Sequence, residues 1–107
     1  MDQNTKRRLE VRAKVIKAMA HPTRLFIVDE LSEQERCVCE LTEKIGADTS
    51  TVSKHLSILK DAGIVQSEKR GLQVFYYLKF TCVLNFFSCI EAVVRSTSEE
   101  RLALLDR

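Results

Sequence analysis

Nowhere in its 107 residues does the chain hold the roughly 18 uninterrupted apolar residues that a transmembrane helix requires, so no membrane-spanning segment is expected. Its basic start, Met1 to Lys17, is not followed by an apolar stretch ending in small residues, which argues against a secretory signal and points to the cytoplasm. One proline and three glycines, with no repeat and no low-complexity stretch, leave nothing to act as a linker, and a single domain over 1–107 is expected. A Ser-His-acid order, a phosphate-binding loop and a carboxylate pair in a plausible cleft are all missing, so no enzyme is expected. A chain this short also buries only a modest core, which makes a second copy a natural contributor to stability.

Charge is present in both signs, and its placement says more than the net value of +2. Residues 1–20 carry six basic and two acidic side chains, residues 47–80 five and three, and residues 22–46 three and six. Two weakly basic regions thus flank an acidic one, which favours a polyanion partner at 47–80.

Apolar residues recur at helical spacing in four places. Leu9, Ala13, Ile16 and Ala20 mark a helix from Lys6 to Ala20; Pro22 suits the first turn of a second, whose buried face is Leu25, Ile27, Val28 and Leu31. A short helix from Val38 to Ile45 stops at Gly46. Asp48-Thr49-Ser50-Thr51 then offers side-chain oxygens to a new helix start, followed by Val52, Leu56, Leu59 and Ala62 and closed by Gly63. Two helices joined through Gly46-Ala47-Asp48 make a helix-turn-helix. Strand-like Val65 to Lys69 and Val74 to Leu78 flank a basic tip at Arg70-Gly71-Leu72-Gln73. From Phe80 to Val94, eleven of fifteen residues are apolar or Cys, too many for a helix on a monomer's surface, so it should be covered on both sides. A charged tail from Ser96 should end in a short, loosely held helix.

The fold class expected is mainly α with a β-hairpin wing: a dimeric winged helix-turn-helix whose N- and C-terminal helices, 1–20 and 82–96, form the interface. The helix-turn-helix occupies 38–62 and the wing 64–79. With Val52, Leu56 and Leu59 facing inward, Ser50, Ser53, Lys54 and Ser57 face outward, Thr51 and His55 lying at the edges. Short hydroxyls and a cation on the free face of such a helix suit the major groove, and Lys69 and Arg70 at the hairpin tip can reach the adjacent minor groove or its phosphates. Double-stranded DNA is the partner this predicts.

His21-Pro22-Thr23-Arg24-Leu25, Val52-Ser53-Lys54-His55-Leu56, Leu59, Ala62-Gly63-Ile64-Val65 and the hairpin from Gly71 through Tyr76-Tyr77-Leu78 resemble the ArsR/SmtB (arsenic-repressor) family of dimeric, metal-sensing repressors. The resemblance covers roughly His21 to Leu78. It implies a homodimer that binds an inverted-repeat operator in the apo form and lets go when ligand binds.

Four cysteines without an export signal are expected to be reduced, which puts metal binding, redox sensing or burial ahead of a disulfide framework. Cys37 and Cys39 stand at the start of the Val38 helix. Side chains two apart inside a helix diverge by about 200°, but a Cys37 placed before the first turn can swing toward Cys39, and the free N–H groups there favour thiolates. Cys37-Val38-Cys39-Glu40-Leu41 also resembles the family's sensor motif for arsenite, antimonite, cadmium or lead. A further Cys that the family's arsenite sensors carry is Thr42 here. Cys82 or Cys89 could supply a third sulfur, yet both share an apolar stripe with Phe86 and Val93 that equally suits burial. They lie about 10 Å apart along one helix, so one ion could hardly use both.

Glu33, Glu35, Glu40 and Glu43 would draw a divalent cation to the site, whereas neutral arsenite needs three sulfurs and gains nothing from them. His21 and His55 have structural explanations and 82–107 holds no histidine, which argues against a zinc or nickel site on the last helix. The inducer expected is therefore As(III) or a thiophilic divalent metal, with none needed for folding. The alternative is a thiol-redox or persulfide-sensing repressor of the same fold. It ranks second because Asp29 stands where the family's redox members place one cysteine, and because a Cys37–Cys39 disulfide closes a tight ring.

Overall fold

The computed structural model describes residues 1–105. Helix α1, Gln3–Met19, begins where the Asp2 carboxylate accepts from the Thr5 N–H at 2.7 Å. Helix α2, Pro22–Glu33, has Pro22 in its first turn, and the His21 Nδ1 accepts from the Thr23 N–H at 3.0 Å. A two-residue strand, β1 (Arg36–Cys37), leads directly into α3, Val38–Ile45. Gly46 then takes the left-handed φ of 78° that a reversal within three residues demands. Helix α4, Thr49–Asp61, starts on the Asp48 carboxylate, which accepts from the Thr51 N–H at 2.7 Å.

Strands β2 (Val65–Arg70) and β3 (Gln73–Leu78) form the wing around a two-residue turn at Gly71, φ 63°. Helix α5 runs from Val83 to Leu105. The core is a single cluster in which Ile27, Val28 and Leu31 of α2, Leu41 of α3, and Val52, Leu56 and Leu59 of α4 meet Ile64 and Val65. The helix-turn-helix and the wing thus share one apolar base, fixing α4 relative to the hairpin.

Several expectations are revised. The sheet has three strands in the order β1-β3-β2, with Arg36 opposite Tyr76 and Cys37 opposite Phe75, so the wing is tied to the start of α3 by a strand too short to show a pattern. Helix α5 is continuous through 96–105, where a separate short helix was expected; no Gly or Pro interrupts it. Cys82 precedes α5 instead of lying within it, so Cys82 and Cys89 do not share one helix face.

Leu9, Ile16 and Leu25, expected on buried faces, are exposed in the single chain, as are Phe86, Ile90, Val93 and Val94 of α5. These residues leave α1, the start of α2 and α5 with unpartnered apolar surface. Ile16, Met19, Leu25, Phe86, Phe87 and Ile90 line a cavity of about 310 Å³ between the three helices. Asp29 and Glu91 sit at the same cavity; burial, then the nearby Glu91 charge, pushes the Asp29 carboxyl above its ordinary value. Among the described residues no helix is long and apolar enough to cross a membrane.

Candidate functional site

Helix α4 divides its residues as its spacing demands. Val52, Leu56 and Leu59 are fully buried, while Ser50, Thr51, Lys54 and Ser57 are exposed and Ser53 is half-buried. Ser50 donates to the Asp48 carboxylate at 2.7 Å, so its hydroxyl helps hold the helix start. Lys54 and Ser57 remain on the outer face as a cation and a small hydroxyl. At the far end, Lys60 Nζ donates to Ser67 Oγ at 2.7 Å and pins α4 to β2.

His55 lies in a network. Arg24 Nε donates to His55 Nδ1 at 3.0 Å, and Arg24 Nη1 donates to the Ala18 carbonyl at 3.3 Å. The His21 ring packs on His55 at 4.6 Å between centroids. One arginine thus links the end of α1, the start of α2 and the middle of α4. With Nδ1 accepting, His55 keeps Nε2–H as its free donor.

Burial first, then the charges of His21, Arg24 and Lys54, pushes His55 below its ordinary value of 6.5. The neutral ring is the folded form. Its contribution to stability is whole above 6.5 and falls as the pH drops below that value, because the unfolded chain takes up the proton first. Urea midpoints measured from about pH 7.5 to about pH 5.5 should therefore fall for the wild type, and fall less for His55→Gln.

Cys37 is the N-cap of α3, as a side chain able to swing toward Cys39 requires. Its backbone is extended, with φ −77° and ψ 161°. Its Sγ accepts from the Glu40 N–H at 3.3 Å, and Glu40 Oε1 accepts from the Cys37 N–H at 3.2 Å, a reciprocal cap. The two sulfurs are joined as a disulfide across Cα atoms 5.3 Å apart. The expectation that the cysteines are reduced is thus revised for this pair: the tight ring closes because extended Cys37 and helical Cys39 turn their side chains to one side. Cys37 is buried and Cys39 exposed, with Gln73 Nε2 of the wing 3.9 Å from Cys39 Sγ.

The glutamates around the thiols are largely engaged. Buried Arg36 pairs with Glu30 at 3.2 Å, Glu33 at 3.1 Å and Glu40 at 3.7 Å, and Lys44 pairs with Glu30 at 3.0 Å. Glu35 is held by Arg70. Arg36 and Lys44 carry two positive charges against the three of Glu30, Glu33 and Glu40, and Arg70 is shared by Glu35 and Glu68, so the acidic field expected to attract a divalent cation is offset in part within the fold. Cys82 and Cys89 are free and exposed, and among the described residues no three His, Cys, Asp or Glu side chains gather in an arrangement that would hold a metal ion. A third sulfur from within the chain, left open by the sequence, is not brought to the pair.

At the wing tip Lys69 is exposed, but Arg70 is occupied. Its guanidinium reaches Glu35 through both Nη atoms, Glu68 at 2.9 Å, and the Phe75 ring at 4.8 Å. Glu35 was read from the sequence as a charge that attracts a cation, not as a partner of Arg70, and Arg24, Arg36 and Gln73 were not singled out there by role. Arg36 could have been, since Glu33 and Glu40 stand three and four residues away. The Glu35–Arg70 contact spans 35 positions and leaves no such mark.

The sequence profile of the bacterial regulatory protein arsR family matches residues 21–67. The cadmium resistance transcriptional regulatory protein CadC of Listeria innocua is 41% identical over 70 residues, a match spanning 64% of this chain and 59% of the relative. The transcriptional repressor BigR of Xylella fastidiosa superposes with a TM-score of 0.71 at 30% identity, over 87% of this chain and 96% of that one. A homodimeric winged helix-turn-helix DNA-binding domain from Mycobacterium bovis, a possible ArsR-family transcriptional regulator, superposes with a TM-score of 0.79 at 28% identity, over 94% and 93%. With its own winged helix-turn-helix and hydroxyl-lined α4, the chain belongs to the arsR family and is a DNA-binding transcriptional regulator, not an enzyme.

Proposed function

We propose that the protein is a cytoplasmic, homodimeric repressor that occupies an inverted-repeat operator and releases it when a thiophilic ligand binds Cys37 and Cys39. The observation that carries this reading is the pair itself: two sulfurs brought together at the N-terminus of the first helix of the helix-turn-helix. In the reduced protein they form a two-thiolate chelate in the favourable field of that helix end.

The ligand class suited to it is arsenite, antimonite, cadmium or lead, the remaining coordination being filled from outside the single chain. BigR's name as a repressor and CadC's association with cadmium resistance point the same way. Ser50, Thr51, Ser53, Lys54, His55 and Ser57 face the major groove, with Lys69 and Arg70 at the adjacent backbone. The apolar surface of α1 and α5 is what a second copy covers.

A signal from the thiols has a short path. Cys37 belongs to β1, whose neighbour β3 carries Phe75, and Gln73 of the same strand meets Cys39. Ligand binding there reshapes the junction of α3 and wing. Affinities for ligand and for operator oppose each other reciprocally.

The disulfide favours a second reading, a dithiol–disulfide switch. An oxidant such as hydrogen peroxide would take two electrons and two protons from the thiols to give the disulfide and two waters. Titration separates the two: reduced protein on a fluorescein-labelled inverted-repeat duplex, selected on the wild type from a randomised pool, meets arsenite, antimonite, cadmium, lead, zinc, peroxide and a persulfide donor in turn. Release by a thiophilic ion supports the first reading; release by peroxide or persulfide alone replaces it with the second.

A further inference from the structure

Arg70 looks in the sequence like a cation offered to DNA, but both Nη atoms and the face of its guanidinium have partners. Both Nη atoms reach the Glu35 carboxylate, with Nη2 to Oε2 at 2.9 Å. The same Nη2 donates to Glu68 Oε2 at 2.9 Å, and the plane lies over Phe75. Two carboxylates on one guanidinium leave the local charge at −1. With Lys69 added, the wing tip is neutral, and a neutral tip gains nothing from the polyanion beside it.

The side chains of Arg70 and Glu35 are each about two-fifths exposed, at 41% and 43%, so the pair is a wet one. Exposed ion pairs hold weakly, and a phosphate is an equally good bidentate acceptor for arginine. Operator DNA and Glu35 therefore compete for one group on comparable terms. Glu35 is not carried by the wing; it lies just before β1, on the segment that leads into Cys37.

We propose that Glu35 sets the wing's grip on DNA by holding Arg70 in reserve: the guanidinium is taken from Glu35 by the operator backbone on binding, and the strength of that hold subtracts from operator affinity. Glu35 is thus a residue that tunes DNA binding without touching DNA. The inference rests on the family's DNA binding and not on the identity of the inducer.

A double-mutant cycle tests it, using reduced wild-type thiols with a chelator present so that the thiol site takes no part. The probe is the selected inverted-repeat duplex, and the readout is anisotropy at low salt. Glu35→Gln removes Glu35's share of the hold on Arg70, Glu68 keeping its own, and whatever repulsion Glu35 exerts on phosphates; in an Arg70→Gln background it removes the repulsion alone. The expected gain in affinity from Glu35→Gln is roughly two- to fivefold larger with Arg70 present than with Gln at 70, the size set by exposed pairs. Circular dichroism melts confirm that the four proteins fold alike. Equal gains in both backgrounds, or no gain in either, would overturn the proposal.

Discussion

A Cys39→Ser protein binds the operator duplex as the wild type does and fails to release it when a thiophilic inducer is added. Cys39 is exposed on the first turn of α3 and lies outside the core cluster, with Gln73 Nε2 3.9 Å from its sulfur, so an oxygen in place of sulfur leaves the core intact. What goes is the second arm of the chelate. Allosteric coupling in such systems amounts to about 1–3 kcal/mol, so wild-type affinity should drop roughly 5- to 150-fold with inducer while the variant's stays level.

Cys37 needs a different control, because its Sγ also caps α3. Serine is among the preferred N-cap residues, so Cys37→Ser keeps the helix start; Cys37→Ala should cost about 1 kcal/mol in urea unfolding. Normal release from Cys39→Ser would show that the inducer binds elsewhere.

Leu56→Ala should cost about 2–5 kcal/mol, because a fully buried leucine at the centre of the core leaves a cavity that α2 and α3 cannot close without moving. At about 4–8 °C per kcal/mol for a chain of this size, the melting temperature should fall by at least about 8 °C. Ser57→Ala, one residue along the same helix but exposed, should leave stability within about 0.5 kcal/mol and weaken operator binding instead. Calorimetry and anisotropy on the two variants separate what α4 does for the fold from what it does for DNA. Unchanged operator affinity in Ser57→Ala would remove that residue from the contact surface.

The parts of the fold legible in the sequence are those set by local rules. Asp48, Pro22, Gly46 and Gly71 each meet a requirement of their own few neighbours, and α3 spans Val38–Ile45 as its spacing indicates. What escaped is non-local or too short to show a period. Two residues of β1 carry no alternation, Arg24 joins three helices through one side chain, and Arg70 finds Glu35 from the far side of the helix-turn-helix. The thiol pair was visible because Cys37 and Cys39 are neighbours in the chain. The pairing of Glu33, Glu35 and Glu40 with Arg36 and Arg70 was not, since a glutamate reads as an open charge until its arginine is placed.

Helix α5 carries its apolar residues along 23 positions, about 35 Å of helix, and much of that length has no cover from its own chain. A protomer in this condition gains stability by mass action when a partner binds the same surface. Folding, pairing and operator occupancy then draw on a single quantity, the number of copies in the cell. Dilution works against repression twice over, once by emptying the operator and once by loosening the molecule that should fill it.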